Sequence, residues 1–144
     1  MKKFFNAIKN GTFKGLKTGL MLLKIMLPIY LLVVLLKYSP VMPWLQEICQ
    51  PVMKLFNLPG DAAVPIITGI FTDEYGCVAA MGGFEFSSAA ITTIAMVNLM
   101  AHSIPVETAI AHKIGFSSGK LAIYRVVAAV LVGIFIGWLG GVFL

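Results

Sequence analysis

The sequence predicts an all-α integral membrane protein, with about three spanning helices, a broken or re-entrant helical hairpin and interfacial amphipathic helices. Three observations carry that prediction. The 144 residues are 59% hydrophobic and only 12% charged. Their mean hydropathy is +0.94. The apolar runs come in two lengths, one long enough to cross a bilayer and one about half that. A soluble domain carries about 45–50% apolar and about 25% charged residues. A short chain has much surface for its volume and needs more polar cover still, which six acidic and eleven basic residues cannot give.

The net charge of +5 does not point to nucleic acid. Lys2, Lys3, Lys9, Lys14 and Lys17 precede the first apolar run, and Lys113, Lys120 and Arg125 surround the start of the last. Charge is placed this way at a cytoplasmic membrane face, and no compact basic domain remains to grip a phosphate backbone. Cys49 and Cys77 have no ligand spacing and read as buried free thiols.

Residues 1–18 read as a basic amphipathic segment. Phe4, Phe5, Ile8, Thr12 and Leu16 fall near one face and Lys3, Asn10, Lys14 and Lys17 fall opposite. Residues 19–144 read as a single membrane domain. Leu20–Leu36 is the first span, about 26 Å as a helix, with Pro28 expected to kink it. No small-x-small pattern follows, so it reads as uncleaved. In Ser39–Leu58 an apolar stripe of Val41, Trp44, Leu45, Ile48, Val52, Leu55 and Phe56 opposes Gln46, Glu47, Gln50, Lys54 and Asn57. That segment is expected to lie flat on the outer face, bent at Pro51.

Leu58-Pro59-Gly60-Asp61 is a sharp break, with Asp61 placed to cap the next helix. Ala62–Phe71 spans about 15 Å, half a membrane. Thr72-Asp73-Glu74-Tyr75-Gly76 interrupts it, and Cys77–Met81 is apolar again. The two halves form either a re-entrant hairpin or one span broken at its middle. Both place polar backbone and carboxylates at membrane depth, which requires burial in protein or a cavity. A helix beginning at Ser87–Ser88 runs to about Ser103. Pro105 starts a short helix with Glu107 in its first turn, and Leu121–Leu144 is the last span. If residues 62–82 re-enter from outside, eight basic residues lie inside and two, Lys37 and Lys54, outside. Full crossing would split the two clusters between sides, so the positive-inside rule favours re-entry with a cytoplasmic N-terminus.

The run Leu58-Pro59-Gly60-Asp61-Ala62-Ala63-Val64-Pro65-Ile66-Ile67-Thr68-Gly69-Ile70-Phe71-Thr72, followed by Tyr75-Gly76, resembles the nucleoside-recognition or Gate domain of bacterial membrane proteins. Ala101-His102-Ser103-Ile104-Pro105-Val106-Glu107-Thr108-Ala109-Ile110 resembles its second stretch. The domain is known in spore maturation proteins A and B, in ferrous iron permeases and in concentrative nucleoside transporters. The resemblance covers about residues 20–143 and is nearest to short, stand-alone members, which often occur as neighbouring pairs. It implies a bacterial cytoplasmic (inner) membrane location and leaves the substrate open.

Asp73 and Glu74 are the sharpest candidate ligands for a small solute or ion, because a carboxylate at membrane depth is costly. Thr72 and Tyr75 would add neutral hydrogen bonds. Asn98 and His102 are four apart on one helix face; His102 is suited to a proton relay, whereas Asn98 also suits helix–helix hydrogen bonding. Glu107 suits a helix N-terminus or a ligand role. His102 and His112 lack metal-ligand spacing. Gly133, Gly137 and Gly141 line one face of the last span and are expected to contact another subunit. No nucleophile–base pair, phosphate loop or cofactor motif is present, so neither an enzyme nor a cofactor is expected; the Gly115–Lys120 run lacks phosphate-loop spacing and a preceding strand. The expected function is a small transporter subunit, one structural repeat that needs a homodimeric or second Gate-type partner. The alternative is a non-transporting assembly or interaction subunit.

Overall fold

The first 36-residue helix, α1 (Lys2–Lys37), carries both the basic segment and the first span. A computed structural model describes residues 2–143, and the side chains of Lys2, Phe5, Ile25 and residues 141–143 lie outside that description. The expected boundary near residue 18 therefore falls inside one helix. Gly15, Thr18 and Gly19 weaken the helix at the junction, but no proline stops it there. Pro28 sits within it. The N-terminal half stands away from the rest of the chain. Phe13, Leu16 and Met21 are all exposed, and a side chain on Gly11, Gly15 or Gly19 would meet nothing within 4 Å.

The Ser39 hydroxyl donates to the Leu36 carbonyl oxygen at 2.7 Å and turns the chain into α2 (Val41–Leu55). Of the predicted apolar stripe of α2 only Phe56 is buried, and Val41, Trp44, Ile48, Val52 and Leu55 are exposed; the row that packs into the chain is Met42 and Met53, outside that stripe. The helix is apolar over a wider arc than one stripe, so one row packs inward and the other is left for lipid. Asn57 takes a left-handed conformation (φ 55) that ends α2. Its amide donates to the Gly137 carbonyl oxygen at 3.1 Å.

A single 3-10 turn, Gly60–Ala62, follows. Gly60 passes Gln46 so closely that a Cβ there would lie 2.8 Å from the Gln46 carbonyl oxygen. Asp61 does not cap the next helix. It sits inside the 3-10 turn, and its carboxylate accepts from the Gln46 side-chain amide.

Next come α3 (Ala63–Phe71) and α4 (Glu74–Met81). They pack antiparallel, with Gly69 against Cys77 and Val64 in one cluster with Ala80. The break is narrower than the sequence predicts: only Thr72 and Asp73 are non-helical, and Glu74, Tyr75 and Gly76 already belong to α4. Gly76 lies beside Ile29 and Gly83 beside Val33, so α4 runs along the C-terminal half of α1. The Lys37 ammonium sits 5.5 Å from the centre of the Phe84 ring.

The chain ends with α5 (Ser88–Ala101), α6 (Ile104–Lys113) and α7 (Ser118–Phe143). Ser87 caps α5 by accepting from the Ala90 N–H at 3.2 Å. α7 runs antiparallel to α5, with Gly140 beside Ala89, Gly133 beside Val97 and Arg125 bonded to Met100. Gly133 and Gly137, two of the three glycines expected to face another subunit, lie against this same chain. A Cβ on Gly137 would lie 1.9 Å from the Phe56 carbonyl oxygen, and one on Gly133 would lie 2.5 Å from Val97. Small residues let these backbones approach; the spacing is right and the partner is internal. The surroundings of Gly141 and the position of Leu144 lie outside the described residues.

Among the described residues, three apolar helical stretches are long enough to cross a membrane: Asn6–Lys37, Ser88–Lys113 and Ser118–Gly140. The second is interrupted at His102–Ser103, where Ser103 takes φ 50. The tip of the α3–α4 hairpin meets the break after α5, where the Ser103 hydroxyl bonds the Thr72 carbonyl oxygen. An open apolar cavity of about 350 Å³ lies between α2, α3, α5 and α7, lined by Met53, Ile66, Val97 and Ala129 among others.

Candidate functional site

Four elements bring one polar side chain each to the hairpin tip. Glu74 opens α4, and its Oε1 lies 2.9 Å from His102 Nε2. His102 ends α5. Its backbone N–H donates to the Asn98 carbonyl oxygen at 2.7 Å, after which the backbone turns extended. Glu107, in the first turn of α6, places Oε1 3.4 Å from the same Nε2. Arg125 of α7 donates through Nη1 to the other oxygen of Glu107. Its Nε donates to the Met100 carbonyl oxygen at 2.8 Å, and its Nη2 lies 3.4 Å from His102 Nδ1. The Leu99 carbonyl oxygen is 3.2 Å from that Nδ1.

Ser103 locks the corner. Its backbone N–H donates to the Gly69 carbonyl oxygen at 3.1 Å, and its hydroxyl donates to the Thr72 carbonyl oxygen. The Gly69 acceptor is one of the last four carbonyl groups of α3, which a helix leaves without intrahelical partners, and the Thr72 acceptor belongs to the residue that follows the helix. The break after α5 thus caps the end of α3.

The site is graded in exposure. The side chains of Arg125 and His102 are 17% and 21% exposed, those of Glu107 and Glu74 38% and 43%. It is closed on the α7 side and open beside Glu74. Arg125 lies seven residues into α7, about 10 Å along it.

The structure joins Glu74, His102 and Glu107 and leaves the other predicted residues elsewhere. Asp73 caps α4, its Oδ1 accepting from the Gly76 N–H at 2.8 Å. The Thr72 hydroxyl turns back to donate to the Thr68 carbonyl oxygen at 2.6 Å. Tyr75 is exposed on the outside of the hairpin. Asn98 parts from His102 and is buried against Gly69, where a Cβ would come within 1.8 Å of Asn98 Oδ1. That oxygen has no hydrogen-bond partner among the described residues; the glycine Cα–H group faces it, a weak donor common at helix–helix contacts.

Sequence reasoning missed Arg125, which it grouped with the inner basic cluster. The available signal was its position inside the predicted span Leu121–Leu144, where a charge is a functional marker by default. Chemically, two carboxylates, an imidazole and a guanidinium in one corner offer hydrogen-bond acceptors and donors side by side.

Fold and site together define an all-α, multi-pass membrane protein with a broken helical hairpin whose tip meets a charged corner. The nucleoside recognition (Gate) family model matches residues 19–117, and the chain belongs to that family. It is 34% identical over 143 residues to the uncharacterized membrane protein YvoD of Bacillus subtilis (strain 168). The match covers 98% of this chain and 45% of that relative, so the chain spans about half its length. No solved structure matches the chain.

Proposed function

We propose that the chain is one repeat of a small membrane transporter, binding a small polar solute or ion where the hairpin tip meets the end of α5. The observation that carries this reading is the 2.9 Å pairing of Glu74 with His102 at the break of a hairpin. The hairpin arms have nine and eight residues, about 12–14 Å each, against a hydrocarbon core of about 30 Å. Charged groups inside a bilayer face a cavity or one another and mark pathways. Discontinuous helices bring such groups to mid-depth at the interface between two repeats.

In this reading the hairpin re-enters from the outer side. The N-terminus and the Lys113–Lys120 region lie on the cytoplasmic side of a bacterial inner membrane, as the basic residues favour. The open flank beside Glu74 supports a second repeat, supplied by another copy or by a second Gate-type protein. The relative that is about twice as long supports the same idea.

The test is thermal unfolding of the protein in nanodiscs with nucleosides, small anions and divalent cations added class by class. A ligand of the native state raises stability by about 2.7 kcal/mol at a hundredfold excess over Kd. The expected result is a rise with one class that Glu74→Gln removes. No rise with any class would overturn the transporter reading and leave an assembly or interaction subunit.

A further inference from the structure

We infer that the base of the hairpin binds one two-chain phospholipid whose headgroup carries a primary ammonium. The site lies at the end of α4 remote from Glu74, so the inference is independent of the solute reading. It starts from polar side chains. Lys37 in the last turn of α1, Tyr30 two turns before it, Tyr38 just after it and Glu85 beyond α4 line one cavity of about 220 Å³. Phe84 forms another wall, and its ring centre lies 5.5 Å from the Lys37 ammonium. Lys37 and Glu85 share this cavity, yet among the described residues neither is in an ion pair. Gly82 and Gly83 line it as well, and their carbonyl oxygens accept no backbone hydrogen bond among the described residues.

Two apolar grooves leave this polar cavity, one on each side of Val78. The first, about 260 Å³, runs between α1 and α4 along Leu23, Met26 and Leu27, and shares Tyr30 and Gly82 with the polar cavity. The second, about 490 Å³, passes Met81 and Phe86 to Ile91 of α5, and shares Gly82, Phe84 and Glu85 with it. Leu23, Leu27, Val78 and Ile91 are all exposed, so both grooves open outward from the chain. One polar pocket joined to two apolar channels has the outline of a headgroup with two acyl chains.

Depth agrees with that outline. Lys17 and Lys37 stand about 30 Å apart along α1, the thickness of a hydrocarbon core. Lys37 thereby reaches a headgroup layer, and the groove from Leu23 to Tyr30 lies among acyl chains. Lipid tails are as apolar as leucine, so the grooves select the number of chains and the polar cavity selects the headgroup. A cavity with one cation and one anion that do not neutralise each other complements a zwitterion. Phosphate oxygens accept from Lys37 and the tyrosine hydroxyls, and an ammonium donates to Glu85 and the two glycine carbonyls. A glycerol headgroup brings the phosphate without a cation and leaves Glu85 beside a second negative charge. A choline headgroup brings the cation without an N–H to donate.

The test is native mass spectrometry of the detergent-solubilised chain, offered equal amounts of phosphatidylethanolamine, phosphatidylcholine and phosphatidylglycerol with identical acyl chains. One phosphatidylethanolamine per chain is expected, favoured about fivefold over either competitor. The one-chain lysophosphatidylethanolamine should be retained less. Glu85→Gln should remove the preference over phosphatidylglycerol, and Lys37→Gln should reduce phosphatidylethanolamine retention. Lys54→Gln, in the last turn of α2, should change neither. Equal retention of the three lipids overturns the inference, and the unaltered chain alone gives that readout. A preference that survives both Lys37→Gln and Glu85→Gln puts the lipid elsewhere and overturns it too. So does a lipid-free dimer, which would mean that a second copy covers this face, and so does displacement by soluble phosphoethanolamine, which would leave the grooves without a part. The solute screen reads a different end of the hairpin, so either result stands if the other fails.

Discussion

The backbone N–H of Ser103 donates to the carbonyl oxygen of Gly69 at 3.1 Å, across a separation of 34 residues between two helix breaks. Two interrupted helices thus finish each other. α3 stops with free carbonyl groups, and the turn after α5 supplies the donors. Ser103 reaches them by adopting φ 50, a left-handed conformation. Holding a non-glycine residue there costs about 1–3 kcal/mol, and the two hydrogen bonds offset it.

Substitutions at Ser103 should separate those terms. Ser103→Gly relaxes the backbone and keeps the N–H bond, so thermal unfolding in detergent should shift little. Ser103→Val forces a β-branched residue into the left-handed region and removes the hydroxyl. It should lower stability by about 1–3 kcal/mol. Equal effects from the two would show that backbone conformation at Ser103 is not what joins the breaks.

The glycines of α7 give a contrast within one chain. Gly137→Ala places a methyl group against the Phe56 carbonyl oxygen, 1.9 Å from an ideal Cβ. It should destabilise the monomer by about 1–3 kcal/mol. Gly19→Ala meets nothing within 4 Å and should stabilise α1 by up to about 1 kcal/mol. Unfolding curves together with native mass spectrometry distinguish the causes. If Gly137→Ala changes only oligomeric state and not unfolding, the intrachain contact with Phe56 is not decisive.

The hairpin was legible in the sequence because length is unforgiving: a ten-residue apolar run between Asp61 and Thr72 cannot cross. The paired breaks were legible as separate events, through Pro105 and the Thr72–Asp73 interruption. Their meeting was not, since no local pattern says which carbonyl groups a distant serine will cap. The glycine spacing correctly announced close approach and could not name the neighbour. Arg125 was misread because a charge near a helix start has the same pattern whether it marks topology or builds a site. Asp73 and Glu74 are adjacent acids, and only the backbone at the break decides which one caps a helix and which one reaches His102.

Arg125 joins three groups at once: the Met100 carbonyl, Glu107 and His102. Lysine cannot reproduce that forked geometry. Arg125→Lys should therefore fall short of the unaltered chain, and Arg125→Gln should lower stability by about 2 kcal/mol by stranding Glu107. The double variant Arg125→Gln/Glu107→Gln should recover part of the loss, because the lone carboxylate is gone. Strict additivity in thermal unfolding would mean that the pair contributes nothing to the fold.

The ends of α7 provide a topology test. Asn57 bonds to Gly137 near one end of the helix, and Ser117 precedes the other. Those points are separated by about 28 Å along the helix, close to a hydrocarbon thickness. Asn10 lies at the end of α1 remote from Lys37. Single cysteines at residues 10, 57 and 117, in a chain lacking Cys49 and Cys77, should react with an impermeant reagent in two groups. Residues 10 and 117 should label from the cytoplasmic side and residue 57 from outside. Labelling of 10 and 117 from opposite sides would eliminate the re-entrant arrangement.

The neighbouring acids should separate cleanly in function. Asp73 accepts from the Gly76 N–H at 2.8 Å and holds the first turn of α4. Asparagine is about as good a cap as aspartate, so Asp73→Asn should leave stability and solute binding unchanged. Asp73→Ala should cost about 1 kcal/mol of stability and still leave solute binding in place. Glu74 has no capping duty, and its carboxylate lies on His102 Nε2. Glu74→Gln keeps the shape and a hydrogen-bond acceptor while removing the charge. It should change stability by less than about 1 kcal/mol, because the group is 43% exposed. It should nonetheless abolish solute binding or shift its pH dependence. If Asp73→Asn instead gives the binding defect and Glu74→Gln is silent, the functional carboxylate is the cap, and the site must be rebuilt around the N-terminus of α4.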